Sequence, residues 1–387
     1  MKFIYLDNAS TSHPKAPGVA TAIANFIEQG SYNPDRGQYS GANDTALAIL
    51  DLRRRLARRF GASSPRQVIF TQNVTMSINL LLKGLFTAGD HIITTSMEHN
   101  SVMRPLNEIR AQGIRFQVVG AEKDGSILPD KIEASIDANT KAIVVTAASN
   151  VCGTVMPLRE IGKIARARDL YYIIDSAQLA GVLPLKLSEL EADAICFTGH
   201  KSLLGPQGTG GLILSDRLHH CRPLISGGTG SFSHSEELPG ALPDRFEAGT
   251  QNLPGLIGLA AAEKWLTKQE TKILKHELNL ATRFISAISE IDQVRLIGRD
   301  ADYCQVDNPG RIAVISLDFP DRDNADIAAA LYDKYRIMTR CGLHCAPRAH
   351  KTLGTYPQGT VRFSFGWSNT VSEVEYTVSA IKDLSQR

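Results

Sequence analysis

The chain has 387 residues, 43% hydrophobic and 21% charged, a composition normal for a globular protein and long enough for two or three domains. With 42 basic against 40 acidic residues the formal charge is +2, too little to imply nucleic acid or an anionic membrane as a partner. No apolar run reaches the roughly 18 residues needed to span a bilayer, and Asp7 interrupts any signal-peptide core, so a cytoplasmic location is the default expectation. The six cysteines (152, 196, 221, 304, 341 and 345) are too scattered for a disulfide framework in a chain of this length.

From about residue 66 to 215, short apolar runs alternate with helical patterns. The runs are Gln67–Phe70, His91–Thr94, Arg115–Val119, Ala142–Thr146, Tyr171–Ile174, Ala194–Phe197 and Gly211–Leu214. Between them, Ile78, Leu81, Leu82 and Leu85 share one helical face, as do Val102, Leu106 and Ile109, and Ile161, Ile164 and Ala165. The alternation predicts an α/β fold, with a mostly parallel seven-stranded sheet between helices. Residues 217–252, rich in Gly, Ser and Pro, read as a long ordered loop. A helical stretch over about 254–291 follows. Strand 311–317, helix 324–335, strand 360–364 and helix 372–384 then make an α+β segment. The expected division is a large domain over 15–255 and a smaller α+β domain of 256–387 joined by residues 1–14.

Ligands of such sheets sit at the carboxyl ends of the strands, and several polar motifs follow these runs. Phe197-Thr198-Gly199-His200-Lys201-Ser202 puts a lysine among small residues just after a strand. That setting suits an amine that must be partly neutral to form a Schiff base, with Thr198 and His200 as donors to a nearby phosphate; a solvated loop lysine is the alternative. Asp175 ends the apolar run Tyr171–Ile174, 26 residues before Lys201. A buried carboxylate needs a partner, and the pyridinium of pyridoxal phosphate is one; capping the next helix is another. Gln178, three residues on, is a candidate partner for the same ring's phenolic oxygen. Thr75 and the Met76 amide open a helix, where free N–H groups suit a phosphate, unless Thr75 is an ordinary cap. His99 follows the run His91–Thr94 and either lies against a cofactor ring, exchanging protons, or is structural.

The motifs Tyr5-Leu6-Asp7-Asn8-Ala9-Ser10, Glu98-His99-Asn100, Ser149-Asn150-Val151-Cys152-Gly153, Asp175-Ser176-Ala177-Gln178, Gly199-His200-Lys201 and Arg340-Cys341-Gly342-Leu343-His344-Cys345 occur in this order. Together they resemble the class V aminotransferase family of fold-type I pyridoxal-phosphate enzymes, and within it the short-loop cysteine desulfurases and selenocysteine lyases. The resemblance runs from Tyr5 to about Thr370. It implies that Lys201 carries the cofactor, Asp175 holds the pyridinium, Gln178 meets the phenolic oxygen and His99 stacks on the ring. Thr75, Met76, Thr198 and His200 would hold the phosphate. Phe246-Glu247-Ala248-Gly249-Thr250 matches the motif by which a second protomer completes that site, implying a homodimer that shares Thr250. Arg362 matches the arginine that clamps the substrate carboxylate, and Asn150, Arg36 and Arg340 border the same pocket.

Cys345 matches the thiol that takes sulfur from cysteine as a persulfide, for delivery to an acceptor protein. Arg340, His344 and Arg348 nearby favour a thiolate, and Gly342 and Pro347 suggest a loop that swings. Cys341 and Cys345 with His344 amount to half a zinc site with no second half, so no metal is expected. The pattern has two departures: Cys152 stands where Thr or Leu is usual, and Met76 where many relatives are acidic. Both are expected to line the pocket, and they leave cysteine, selenocysteine and related β-substituted amino acids open as substrates.

Overall fold

The structure, a computed structural model, describes residues 3–34, 37 and 39–386. In chain order it forms β1 (Ile4–Tyr5), α1 (Val19–Glu28), α2 (Ser40–Phe60), β2 (Val68–Thr71), α3 (Val74–Leu85), β3 (His91–Thr95), α4 (Asn100–Ile109), β4 (Arg115–Val119), α5 (Pro129–Glu133), β5 (Thr140–Thr146), α6 (Leu158–Ala167), β6 (Tyr171–Asp175), β7 (Ala194–Thr198) and β8 (Gly210–Leu214). After a long irregular segment come α7 (Leu253–Leu266), α8 (Glu270–Ile288), β9 (Arg295–Ile297), β10 (Val314–Asp318), α9 (Asn324–Tyr335), β11 (Ile337–Met338), β12 (Arg340–Gly342), α10 (Pro347–Thr352), β13 (Thr360–Ser364) and α11 (Val371–Ser385).

The seven apolar runs become the seven strands of one sheet, in the order β2-β8-β7-β6-β5-β3-β4. Only β8 runs against its neighbours. These strands are apolar on both sides because both faces are covered. Tyr172 and Ile174 of β6 join one core with α2 and α6, while Ile173 between them joins another with α3 and α4. Residues 143 and 145 of β5 alternate with 142 and 144 in the same way. The carboxyl ends of β2, β3, β5, β6 and β7 therefore share one edge, and the chain that leaves them carries Thr75, His99, Asn150, Gln178 and Lys201.

A four-stranded antiparallel sheet, β12-β13-β10-β9, lies under a second core that includes Phe284, Ile315 and Phe363. Ile4 and Leu6 are buried in that core, and β1 pairs in parallel with β11. The expected helix over 254–291 is two helices. Leu256, Leu259, Ala262 and Leu266 of α7 are buried with the large sheet, whereas Leu278, Ala281, Phe284 and Ile288 of α8 face the smaller core. One straight helix cannot serve both, so the chain breaks at 267–269. The strand expected from Arg311 starts only at Val314. Arg311 itself is fully buried, its guanidinium donating to the carbonyls of Arg299, Cys152 and Val314, which ties residues 152–154 to this sheet. Among the described residues no helix is long and apolar enough to cross a membrane.

Candidate active site

Lys201 lies three residues beyond Thr198, the end of β7, in a turn where the Leu204 amide donates to its carbonyl at 2.8 Å. The turn must pass close under Thr209, and Gly199 allows it: a Cβ there would lie 2.1 Å from Thr209 Oγ1. Burial, more than any other cause, pushes the Lys201 amine down to about 8; Asp175 opposes the shift, and Arg362 and Arg340 add to it. The N-terminal segment grips the peptide just before it. The His200 carbonyl accepts from the Ser12 amide at 2.9 Å and from Lys15 Nζ at 2.9 Å.

Asp175 is 2% exposed. Its Oδ1 accepts the Ala177 amide at 3.0 Å, as the capping alternative requires, but Oδ2 accepts from Ser101 Oγ at 3.1 Å, and no helix follows. Burial raises its pKa above the usual carboxylate range, against the Ala177 amide, Lys201 and Ser101. Gln178 is buried and donates from Nε2 to Ala9 O at 3.0 Å. His99 caps α4 with its own ring: the Ser101 amide donates to Nδ1 at 3.0 Å. Burial and the cations Lys201, Arg340, Arg104 and Arg362 push its pKa down to about 4.

The start of α3 differs from expectation. Asn73, not Thr75, is the cap, and its Oδ1 accepts the Met76 amide at 3.0 Å. That amide is therefore engaged, while Thr75 is exposed in the first turn. Thr198 is buried, with a long 3.5 Å contact to Thr209 O. His200 has a buried Nδ1 with no hydrogen-bond partner, and burial lowers its pKa to about 4. Thr250 is exposed beyond Gly249. Its loop is pinned to β2 by Glu247, which pairs with Arg53 and accepts the Phe70 amide at 2.6 Å.

Arg362, on β13, is 2% exposed. It donates to Asn150 O at 3.0 Å, Asp7 Oδ1 at 2.8 Å and Ser10 Oγ at 2.7 Å. Arg340, its cross-strand partner on β12, reaches the same Ser10 hydroxyl at 2.7 Å. Arg36 lies outside the described residues. Asn150 is buried, its side-chain amide donating to His344 O at 2.8 Å.

Cys345 is exposed and its thiol is free. His344 and Cys345 both take left-handed backbone angles, φ 47 and 56. The loop is docked through its backbone, since the Asn100 amide, beside His99, donates to Cys345 O at 2.8 Å. His344 is not the cation expected beside the thiol. It is 4% exposed and bonded through Nε2 to Thr360, and burial, with Arg362 and His350, holds it neutral. Cys152 does not line the pocket either: it is fully buried, packed against Gly125 and Gly298. Among the described residues no group of three His, Cys, Asp or Glu is placed to hold a metal ion.

Ser101, Glu98 and Glu277 belong to this region without having been singled out in the sequence. Glu98 is fully buried between Thr95 and the Thr146 amide, and burial pushes it up to about 8. Glu277 on α8, also raised to about 8 by burial, lines a small cavity shared with Lys201 and Gln178. Glu98 precedes His99 within its motif and Ser101 directly follows that motif, which was the available signal. Nothing in the sequence around Glu277 marks it.

The aminotransferase class-V family profile matches residues 4–377, and the chain belongs to that family. A probable cysteine desulfurase of Methanothermobacter thermautotrophicus is 32% identical to it, the alignment covering 99% of this chain and 94% of that one. A cysteine desulfurase of Haloferax volcanii is 30% identical, over 98% of this chain and 88% of its own. Among solved structures, the apo cysteine desulfurase of Thermococcus onnurineus superposes with a TM-score of 0.90 at 30% identity, over 99% of this chain and 95% of that one.

Proposed function

We propose that the protein is a pyridoxal-phosphate-dependent cysteine desulfurase, which moves sulfur from L-cysteine onto Cys345 and releases L-alanine. One observation carries the reading: the exposed Cys345 sits on a loop whose backbone is bonded beside His99, at the edge where Lys201 and Asp175 lie. The residues suit the cofactor. Lys201 loses its proton at about 8, Asp175 is a buried carboxylate matched to a pyridinium, and the unpartnered His200 Nδ1 would be satisfied by a phosphate oxygen. Thr75, Thr198 and His200 would share that phosphate with Thr250 of a second protomer, Gln178 would meet the phenolic oxygen, and His99 would cover the ring. Pyridoxal phosphate supplies an electron sink for charge developing at the substrate Cα.

The chain does the rest. Arg362 offers its fork to the substrate carboxylate, which competes with Asp7 for it, and Asn150 and Arg340 form the rim. Lys201 takes the Cα proton. Cys345 Sγ then bonds to the substrate sulfur as the carbon–sulfur bond breaks. The electron pair of that bond stays on carbon, which is protonated and leaves as alanine. The reading includes a cytoplasmic homodimer and an acceptor protein that collects the sulfur. It also places Lys201 in a unit spanning residues 15–255, and Arg362 and Cys345 in a unit of 1–14 with 256–387.

The test is the Cys345→Ser holoenzyme with L-cysteine and a thiol reductant. Sulfide and alanine should fall to background while cofactor absorbance is retained. Undiminished sulfide release would mean that Cys345 is not the acceptor and would favour another class V reaction. L-Selenocysteine in the same assay decides between the two amino acids.

A further inference from the structure

We infer that Ser101 is a positioning residue: it fixes His99 as the neutral tautomer with the proton on Nε2, so that His99 serves the site as a hydrogen-bond donor and not as a proton shuttle. This rests on the reading of His99 as the residue covering the cofactor ring, but every atom that carries it belongs to this chain.

A backbone N–H can only donate. The Ser101 amide lies 3.0 Å from His99 Nδ1, so the Nδ1 lone pair is taken, and a neutral ring must carry its hydrogen on Nε2. The Ser101 hydroxyl is 3.0 Å from the same nitrogen, yet it has one proton and gives it to Asp175 Oδ2 at 3.1 Å. One buried serine, 4% exposed, thus settles the tautomer of one neighbour and supplies a donor to the other.

Shuttling would require more. If neutral His99 gave up its Nε2 proton, an imidazolate would remain unless Nδ1 were protonated at the same time. A proton on Nδ1 could be passed to Ser101 Oγ, but the Ser101 amide would then lose its acceptor and α4 its cap. The surrounding charges also oppose an imidazolium: Lys201 after β7, Arg340 on β12, Arg362 on β13 and Arg104 on α4 are all cationic, and Asp175 on β6 answers through Ser101. Burial and these cations hold His99 at about 4. Proton movement at the substrate then falls to Lys201, whose amine titrates at about 8.

The test is nitrogen NMR of histidine-labelled full-length protein, with the cofactor removed and then restored, on wild type, Ser101→Ala and Ser101→Pro. Proline is tolerated in the first turn of a helix and removes both the amide and the hydroxyl hydrogen. Wild type and Ser101→Ala should show His99 with Nδ1 as an acceptor and Nε2 protonated throughout the neutral range. Ser101→Pro should show mixed tautomers, with the ring still titrating well below about 6.5 because burial and the surrounding cations remain. A wild-type ring with its proton on Nδ1, or titrating near about 6.5, overturns the inference. So does a Ser101→Pro spectrum identical to wild type. Should that variant not fold, the other two spectra decide. Failure here leaves the desulfurase reading untouched, since that stands or falls with Cys345→Ser.

Discussion

Glu247 is the point where the loop carrying Thr250 is fastened to the large sheet, and removing its carboxylate has a cost that can be worked out from its surroundings. Its side chain is 7% exposed and that of Arg53 11%. Besides the ion pair it accepts the Phe70 amide at 2.6 Å, and the Arg53 guanidinium lies 4.3 Å over the Phe70 ring. Glu247→Ala leaves a buried guanidinium without its counter-charge, a loss of about 3–5 kcal/mol. Replacing both charges with apolar groups of similar size removes that penalty. Arg53→Met with Glu247→Met should then retain the cost of the Phe70 amide and the Val68 carbonyl losing these partners, about 1–3 kcal/mol. The double variant is thus expected to be roughly 2 kcal/mol more stable than Glu247→Ala, although it carries one more substitution. Urea unfolding followed by circular dichroism measures both, and cofactor affinity reports whether the Thr250 loop has shifted. A double variant as unstable as the single one would refute the reasoning, because the penalty would not then lie in an unpaired charge.

Three further outcomes are expected. Cofactor capture by the apoprotein, followed by absorbance, should rise with pH and level off near the Lys201 value of about 8; below it the neutral amine falls about tenfold per pH unit, and a plateau near 10.5 would show that burial does not act on this lysine. Arg362→Lys should raise KM for L-cysteine by about 10- to 100-fold, the worth of a charged hydrogen bond, because lysine lacks the planar fork; an unchanged KM would place the carboxylate elsewhere. Glu98 keeps its proton in the folded state up to about 8, against 4.5 for an ordinary glutamate. The folded state therefore binds more protons than the unfolded across that interval, so wild type should lose stability as pH rises through it, and Glu98→Gln should show a flatter profile by the same denaturation assay.

The large sheet was legible because its strands are buried on both faces, which leaves continuous apolar runs such as Tyr171–Ile174. Asp175, Lys201 and His99 stood out as candidates for a related reason: each lies within five residues after such a run. Bonds between distant segments left no such trace. Asp7 and Arg362 are 355 residues apart, and Ser101 and Asp175 are 74 apart. The break between α7 and α8 was hidden because both helices are apolar, and only the direction of their buried faces differs. At α3 the expected cap was Thr75, but the extended backbone of Asn73, φ −174, lets its side chain reach the Met76 amide instead. Proximity along the chain also misled, since His344 adjoins Cys345 yet is turned into the core toward Thr360.

The loop at residues 344–345 is fastened by the His344 ring, bonded to Thr360, and by two peptide carbonyls, His344 O to Asn150 and Cys345 O to Asn100. Its anchorage is therefore indifferent to which side chain position 345 carries. What limits that choice is the left-handed backbone, φ 56, which β-branched residues resist and asparagine, aspartate or glycine accept. Position 345 is thus a natural place for chemical redesign, where selenocysteine or another unbranched nucleophile can be installed while the scaffold that presents it stays in register.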